Sequence, residues 1–359
     1  MRKSRVILLV MFSVAQFANH AMAQRWADKT NLSGFFTSRY SQSDDEVHFH
    51  GPRGIGINDT GSPQGTKIGL TIHSQVNDWL NVATLLISRA EENGYATHAE
   101  WAFASASIND DLTVRTGRIK FPVGLVNEYV DVGVAYPWIT PPLLVYSDEI
   151  NGAQATRDSY TGTSVLWQRG IGDWTFSADG FYGQVDLEEM TVKGTTGVSV
   201  RANWEDTIEL HGATYRGEMH TDPNGSMGIM NKNNHSASLV GLKVDWENIL
   251  VYSEYTSVEM DTVSGGVKIG NSEAWYATLG YRFGKFLPHY TFQTWDRDNG
   301  NGHDITTLGL NYQFSPWVVL KTEFSTIETD NYTTNPGLFE ASPSSDSVSM
   351  TSIALDVIF

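Results

Sequence analysis

The chain has 359 residues, with no cysteine, 33 glycines, 12 % aromatic and only 18 % charged side chains, and a formal charge of −17. Without cysteine there is no disulfide framework, thiolate metal site, cysteine nucleophile or lipidated N-terminal cysteine, and the acidic balance is the wrong sign for nucleic acid. Soluble chains average about 25 % charged residues and about 7 % glycine, so this composition points to twisted strands and turns, while a mean hydropathy of −0.27 excludes a helical membrane protein.

Met1 to Arg5 carry Arg2, Lys3 and Arg5, an apolar run spans Val6–Ala15, and Ala21-Met22-Ala23 precedes Gln24. These are the three parts of a secretory signal peptide, too short to span a bilayer. Residues 1–23 are therefore expected to be removed on export. The remaining 336 residues keep 21 basic against 41 acidic side chains, a formal charge of −20.

Beyond Asn31 the dominant pattern is alternation over about ten residues. Ile68, Leu70 and Ile72 oppose Lys67, Gly69, Thr71 and His73; Val240, Leu242, Val244 and Trp246 oppose polar or small neighbours. Trp275 to Phe283 and Leu308 to Phe314 repeat this, with one greasy face and one polar or small face. A soluble sandwich also alternates, so the connections decide. Tight turns are expected at 76–78, 109–111, 170–172, 205–206, 247–248, 284–285 and 315–316. Longer connections are expected near 42–64, 91–95, 121–159, 184–194, 219–234, 261–270, 297–303 and 328–346. That predicts about sixteen strands with both termini on the tight-turn side. Short turns on one side and long loops on the other, with an even strand number, are the mark of a transmembrane antiparallel β-barrel. In lipid a spanning sheet has to close on itself. The predicted fold class is all-β, with residues 24–359 forming the barrel. Trp79, Trp174, Trp204, Trp246, Phe286, Phe314 and Trp317 lie beside the short turns, as an interfacial aromatic girdle requires.

The last strand alternates Ile353, Leu355, Val357 and ends on Phe359. In this the whole mature chain resembles Gram-negative outer-membrane β-barrels, whose final Phe serves assembly. The resemblance implies an outer-membrane location in contact with lipid and lipopolysaccharide. Residues 121–159 exceed the ~12–15 residues usual for a structureless loop, and Phe121-Pro122-Val123-Gly124-Leu125 through Tyr136-Pro137-Trp138-Ile139-Thr140-Pro141-Pro142 is apolar and proline-stiffened. Such a segment has to pack on something, and the interior of a sixteen-stranded barrel is available. It is also the third long loop, and in general trimeric porins the third loop folds into the lumen. That resemblance implies a homotrimer. Gly117 to Leu125 further resembles a strand-to-loop segment of phosphate-selective porins of the O and P type and of small-anion porins, without their dense arginine ladder or lysine cluster.

Selectivity in such a pore comes from charged groups at its narrowest point. The loop carries Glu128, Asp131, Asp148 and Glu149. Arg115, Arg118 and Lys120, helped by Arg39, Arg89 or Arg157, could form a basic wall facing it across the gap. Glu100, His289, Lys321 and Glu323 are expected to line the channel. Asp296, Asp298 and Asp304 are weak candidates for a calcium loop, and His48 with His50 for another metal site. No cofactor is expected. Enzymatic barrels need a compact Asp–His or His–Ser constellation, and His211, His220, His235 and His303 do not sit in one motif. The expected function is passive diffusion of small hydrophilic solutes. The alternative is a non-conducting receptor or adhesin barrel acting through its surface loops.

Overall fold

The structure, a computed structural model, describes residues 29–49, 56–91, 94–146, 159–186, 190–221, 233–260, 263–264, 267–268, 271–298, 302–334 and 336–359. The expected signal peptide lies outside them. The first half of the chain forms β1 (Thr30–Ser43), β2 (Lys67–Gln75), β3 (Leu80–Glu91), β4 (Gly94–Ser107), β5 (Leu112–Lys120), β6 (Ser159–Ile171), β7 (Trp174–Asp186), β8 (Met190–Trp204) and β9 (Ile208–Thr221). The second half forms β10 (Asn233–Trp246), β11 (Ile249–Met260), a two-residue hairpin β12 (Val263–Ser264) and β13 (Val267–Lys268), then β14 (Ser272–Tyr281), β15 (Phe286–Arg297), β16 (Gly302–Ser315), β17 (Val318–Thr329) and β18 (Ser347–Ile358). All but the hairpin pair with their sequence neighbours into one closed barrel of sixteen strands, sealed by β18 against β1.

The alternation predicts the faces correctly. Ile68, Val240, Leu279, Leu308 and Ile353 point outward and are 44–60 % exposed, as lipid-facing side chains should be. All seven tight turns fall where expected. Gly172 (φ 60°) and Gly284 (φ 59°) occupy the left-handed region in two of them, where a side chain is disfavoured. Trp79, Trp246, Phe286, Phe314 and Trp317 are exposed on that side, while Trp174 and Trp204 are half-buried. Two of the longer connections are shorter than expected: β3 and β4 are separated by residues 92–93 alone, and β7 and β8 by 187–189. The strands there simply continue further outward. At the seam, Gly34 and Phe359 exchange two backbone hydrogen bonds of 2.7 and 2.9 Å, and the Phe359 ring lies directly over Gly34. The last residue thus completes the closing ladder.

On the long-loop side the β1–β2 and β17–β18 connections are knitted together. Phe49 packs edge-on against Phe339 at 5.1 Å, and Asp45 accepts hydrogen bonds from the Ser344 backbone and hydroxyl at 2.7 and 2.5 Å. Inside the barrel, the main buried apolar cluster joins residues 121–146 to inward side chains of strands from β6 round to β18.

Candidate functional site

Residues 121–146 contain two short 3-10 turns, Asn127–Tyr129 and Gly133–Ala135, and one helical turn, α1 (Leu143–Tyr146). They fold because internal bonds replace a regular ladder. The Asn127 amide reaches the Phe121 carbonyl, Tyr136 Oη donates to the Val130 carbonyl at 2.8 Å, and Val126 N–H donates to Tyr146 Oη at 3.2 Å.

The segment bonds to inward side chains around the barrel. On β11, the buried Glu254 carboxylate accepts Leu125 N–H at 2.7 Å, Tyr276 Oη at 2.7 Å and the Tyr146 hydroxyl. Trp138 Nε1 donates to Thr278 Oγ1 on β14 and Thr291 Oγ1 on β15, at 2.9 and 3.0 Å. Glu323 accepts Ile139 N–H at 2.8 Å, Gln293 accepts Leu144 N–H at 3.2 Å, and Asn311 donates to the Pro137 carbonyl at 2.8 Å. Lys321 on β17 is 1 % exposed, and its ammonium donates to the carbonyls of Gly133, Tyr136 and Trp138 at 2.6, 2.8 and 2.7 Å. Those three bonds use all three of its hydrogens. Asp356 Oδ2, 3.2 Å from the ammonium, therefore receives charge without a hydrogen bond, while Oδ1 accepts the Thr37 hydroxyl at 2.6 Å. Gly133 lies so near this carboxylate that a Cβ there would collide with it.

The segment has two unlike sides. Toward β6–β11 it presents Phe121, whose ring meets Tyr160, Phe181 and Tyr215 at 5.8, 5.1 and 4.8 Å, a dry aromatic plug. Toward β1–β5 it presents Asp131. Lys67 and Arg89 are directly opposite each other in the β2–β3 register, an arrangement of like charges that is destabilising alone. Asp131 resolves it: Oδ1 accepts Lys67 Nζ at 3.2 Å and Arg89 Nη2 at 2.7 Å. Oδ2 lies 3.4 Å from Lys120 Nζ, which also binds Glu100 at 2.6 Å. Glu100, at 0 % exposure, is the extra residue where the β3–β4 register slips at Leu85/Leu86, so a bulge aims it inward.

Burial alone would raise the Asp131 carboxyl, but Arg89, Lys120 and Lys67 outweigh it and hold it well below its ordinary value. A depressed folded value means the clip contributes fully above the ordinary carboxylate pKa of about 4 and is lost only as pH falls through the lower value. The difference in unfolding midpoint between the wild type and Asp131→Asn should therefore stay constant from pH 8 to pH 4. A difference that shrinks within that window would show that Asp131 is not held by these cations.

The charged residues expected at the narrowing divide. Lys120 and Asp131 come together, as do Arg39 and Arg89 with the loop; Arg39 reaches the Thr140 hydroxyl. The loop acid, however, sits in contact with the wall cations rather than facing them across a gap. Arg115 turns instead to Ser164 (3.0 Å) and Asp179, and Glu128 lies 3.6 Å from Arg201. Arg118 has the opposite strand parity, pairing with exposed Ala102 and Thr161. Asp148, Glu149 and Arg157 lie outside the described residues. Glu100, His289 and Lys321 are inward as expected but buried rather than lining open water, and Glu323 is half-buried. Lys67, Arg201 and Glu254 were not anticipated; only register and closure bring them to the loop.

Three cavities border the segment. One of about 60 Å³ lies on the long-loop side between Arg39, Lys67, Arg89 and loop residues Val130, Asp131, Tyr136 and Ile139. One of about 280 Å³ on the short-turn side includes Tyr136, Lys243, Asp245, Arg282, Lys285 and Lys321. The third, about 420 Å³, is lined by Arg115, Glu128, Asp179, Ser199, Arg201, Asp206 and Glu209. Ser199 Oγ and His211 Nε2 are 2.9 Å apart beside it, but no carboxylate pairs with that ring among the described residues. Nor, among the described residues, do any three His, Asp or Glu cluster as a metal site. Asp298 accepts Asn271 N–H at 3.1 Å, and residues 299–301 of the expected calcium loop of Asp296, Asp298 and Asp304 lie outside the described residues. His48 binds Glu340 at 3.1 Å, and His50 lies outside the described residues.

No family model and no curated protein matches the sequence. Solved structures do. The anion-selective porin from Comamonas acidovorans superposes with a TM-score of 0.65 at 13 % identity, covering 92 % of this chain and 99 % of that one. The fold is that of the Gram-negative outer-membrane porins. Salmonella typhi OmpF in complex with daunomycin is similar at a TM-score of 0.62 and 12 % identity, over 92 % and 97 % of the two chains. The outer membrane channel DcaP of Acinetobacter baumannii gives 0.58 and 11 %, also over 92 % and 97 %.

Proposed function

We propose that this protein is a passive diffusion porin of the outer membrane, exported by its N-terminal signal and without enzymatic chemistry. It would let small hydrophilic solutes and ions through a water-filled passage narrowed by residues 121–159. The observation carrying this reading is the ring of contacts from one loop to side chains on β1, β2, β3, β5, β8, β11, β14, β15, β16, β17 and β18. A segment that meets a closed wall from so many directions occupies the space within it. Refolded into a planar bilayer, the protein should give stepwise conductance. A silent, folded barrel would favour the receptor or adhesin reading, which the small size of the 60 Å³ cavity supports, since it has room for only a few waters.

The trimer rests on likeness to neighbours that include a trimer form of Vibrio cholerae OmpT and on the outer face of β2–β5. There a shallow groove of about 380 Å³ is lined by Thr84, Ala102, Ala104 and Thr116 between Ile72 and Val82. Small side chains let backbones approach within lipid, where close packing drives association. Ala104→Trp should abolish a heat-labile oligomer on unheated gels while leaving single-pore conductance unchanged; an intact oligomer would move the interface elsewhere.

A further inference from the structure

We propose that the β1–β2 and β17–β18 connections form a clamp that keeps the barrel's seam from parting. Every other pair of neighbouring barrel strands is joined by a turn or connection of the chain, whereas β18 and β1 are held by pairing alone. A hairpin that opens stays tethered by its turn. A seam that opens leaves two free edges, and lipid offers their N–H and C=O groups no partners. At the short-turn end the Gly34–Phe359 exchange closes this joint. At the long-loop end the two connections bridge it. Asp44 N–H donates to the Ser349 carbonyl at 3.0 Å, and Ser349 N–H donates back to Asp44 Oδ1 at 2.8 Å. The buried Asp45 carboxylate accepts Val47 N–H at 2.8 Å on its own side and both Ser344 donors from the other. Glu340 N–H donates to the His48 carbonyl at 3.0 Å, next to the Phe49–Phe339 contact.

The clamp is also anchored beyond the seam. Leu338 N–H donates to His303 Nε2 at 3.1 Å, so Nδ1 carries the ring hydrogen and donates it to Thr329 Oγ1 at 3.1 Å. His303 stands on β16, Thr329 ends β17, and the ring stacks on Trp295 of β15 with centroids 5.8 Å apart. Gly337 lies against the ring with φ 58°, where a Cβ would collide with it; glycine lets the chain pass so close. Leu338 and Phe339, 1 % and 2 % exposed, share a buried cluster with Ile305 of β16, Ile327 of β17 and Val348 of β18. Phe49 and Ile57 of the β1–β2 connection belong to the same cluster. Strain that would draw β1 away from β18 is thereby passed on to β16. Asp45 and Ser344 are 299 residues apart in sequence, so the clamp forms only once the last strand is in place.

Cysteine pairs supply the test, because the chain has no cysteine of its own. Ser41 and Ser352 are opposite each other across the seam, with hydroxyl oxygens 2.7 Å apart. Thr307 and Ser325 are likewise opposite in β16–β17, at 2.8 Å. Both sites are close enough for a disulfide. In the refolded protein Asp45→Ala should speed amide exchange several-fold at residues 38–43 and 350–355, by easing local opening, and leave β10 and β11 unchanged. Ser344→Ala, which removes the hydroxyl bond alone, should act in the same places to a smaller degree, and it takes over the test if Asp45→Ala does not refold. Oxidised Ser41→Cys with Ser352→Cys should restore slow exchange in the Asp45→Ala background; oxidised Thr307→Cys with Ser325→Cys should not. Faster exchange confined to the two connections, or spread evenly around the barrel, overturns the clamp. Equal rescue by both disulfides overturns it too, since Asp45 would then stabilise the barrel as a whole. None of these readouts requires the barrel to conduct.

Discussion

Lys321→Met should cost about 3–5 kcal/mol of barrel stability, the loss expected when one partner of a buried ion pair is removed, and should leave the lumen segment loose. The ammonium is 1 % exposed and its neighbour Asp356 3 % exposed by side chain. Methionine fills similar space but supplies no charge, so Asp356 is left buried with the Thr37 hydroxyl as its bond donor. The carbonyls of Gly133, Tyr136 and Trp138 lose their common donor at the same time, and an orphaned buried acceptor costs about 1–3 kcal/mol. Adding Asp356→Asn should recover the part due to the unpaired charge but not the part due to the carbonyls. Urea unfolding of the refolded protein measures both, and noisier open-pore current should accompany the single variant. A loss below about 1 kcal/mol would mean that water replaces the ammonium and the loop is held elsewhere.

The barrel was legible because its two signals are local. A period of two residues assigns the greasy face of each strand, and short turns opposite long loops assign its ends. The burial of residues 121–146 was legible from composition, since an apolar, proline-stiffened segment of that length cannot stay solvated. The charged site was legible only in part. Arg115 and Arg118 are close in sequence yet three apart, and the period of two sends them to opposite faces; that signal was present and decides against grouping them. Lys120 joins Asp131 only at the end of β5, where the β3–β4 bulge turns Glu100 inward. The Lys67–Arg89 opposition depends on the β2–β3 register, which strand boundaries alone do not supply. Glu254 and Lys321 act across 129 and 183–188 residues of sequence, contacts that exist only once the barrel has closed.

A loop anchored this way divides its labour by chemistry. Apolar residues fill the β6–β11 side and exclude water there, so the polar anchor on that side, Glu254, bonds in a dry setting where an unmet partner is costly. The charged side lies against β1–β5, where Arg39, Lys67 and Arg89 line a small cavity with Asp131. The apolar packing and the charged contacts are two faces of one segment.

Replacing residues 125–150 by a short Gly-Ser linker tests that division. The strand ladder is closed without the loop, so the barrel should still refold, with a lower unfolding midpoint because Tyr252, Tyr276 and Trp295 lose their apolar partners in the cluster. Glu254, Glu323 and Lys321 offset some of this loss by regaining water. Conductance should rise several-fold, because a sixteen-stranded barrel without its filling encloses a wide aqueous channel. Arg39, Lys67 and Arg89 remain on the wall, yet ion preference should shrink, since a wide, wet lumen screens charges that a narrow gap concentrates. Larger current with weaker selectivity is the joint outcome expected only if the loop both narrows the route and presses it against the cations. Unchanged conductance would place the loop outside the path of the ions. Larger current with undiminished selectivity would move the selecting charges away from β1–β3, to residues such as Lys243, Arg282 and Lys285 around the short-turn cavity.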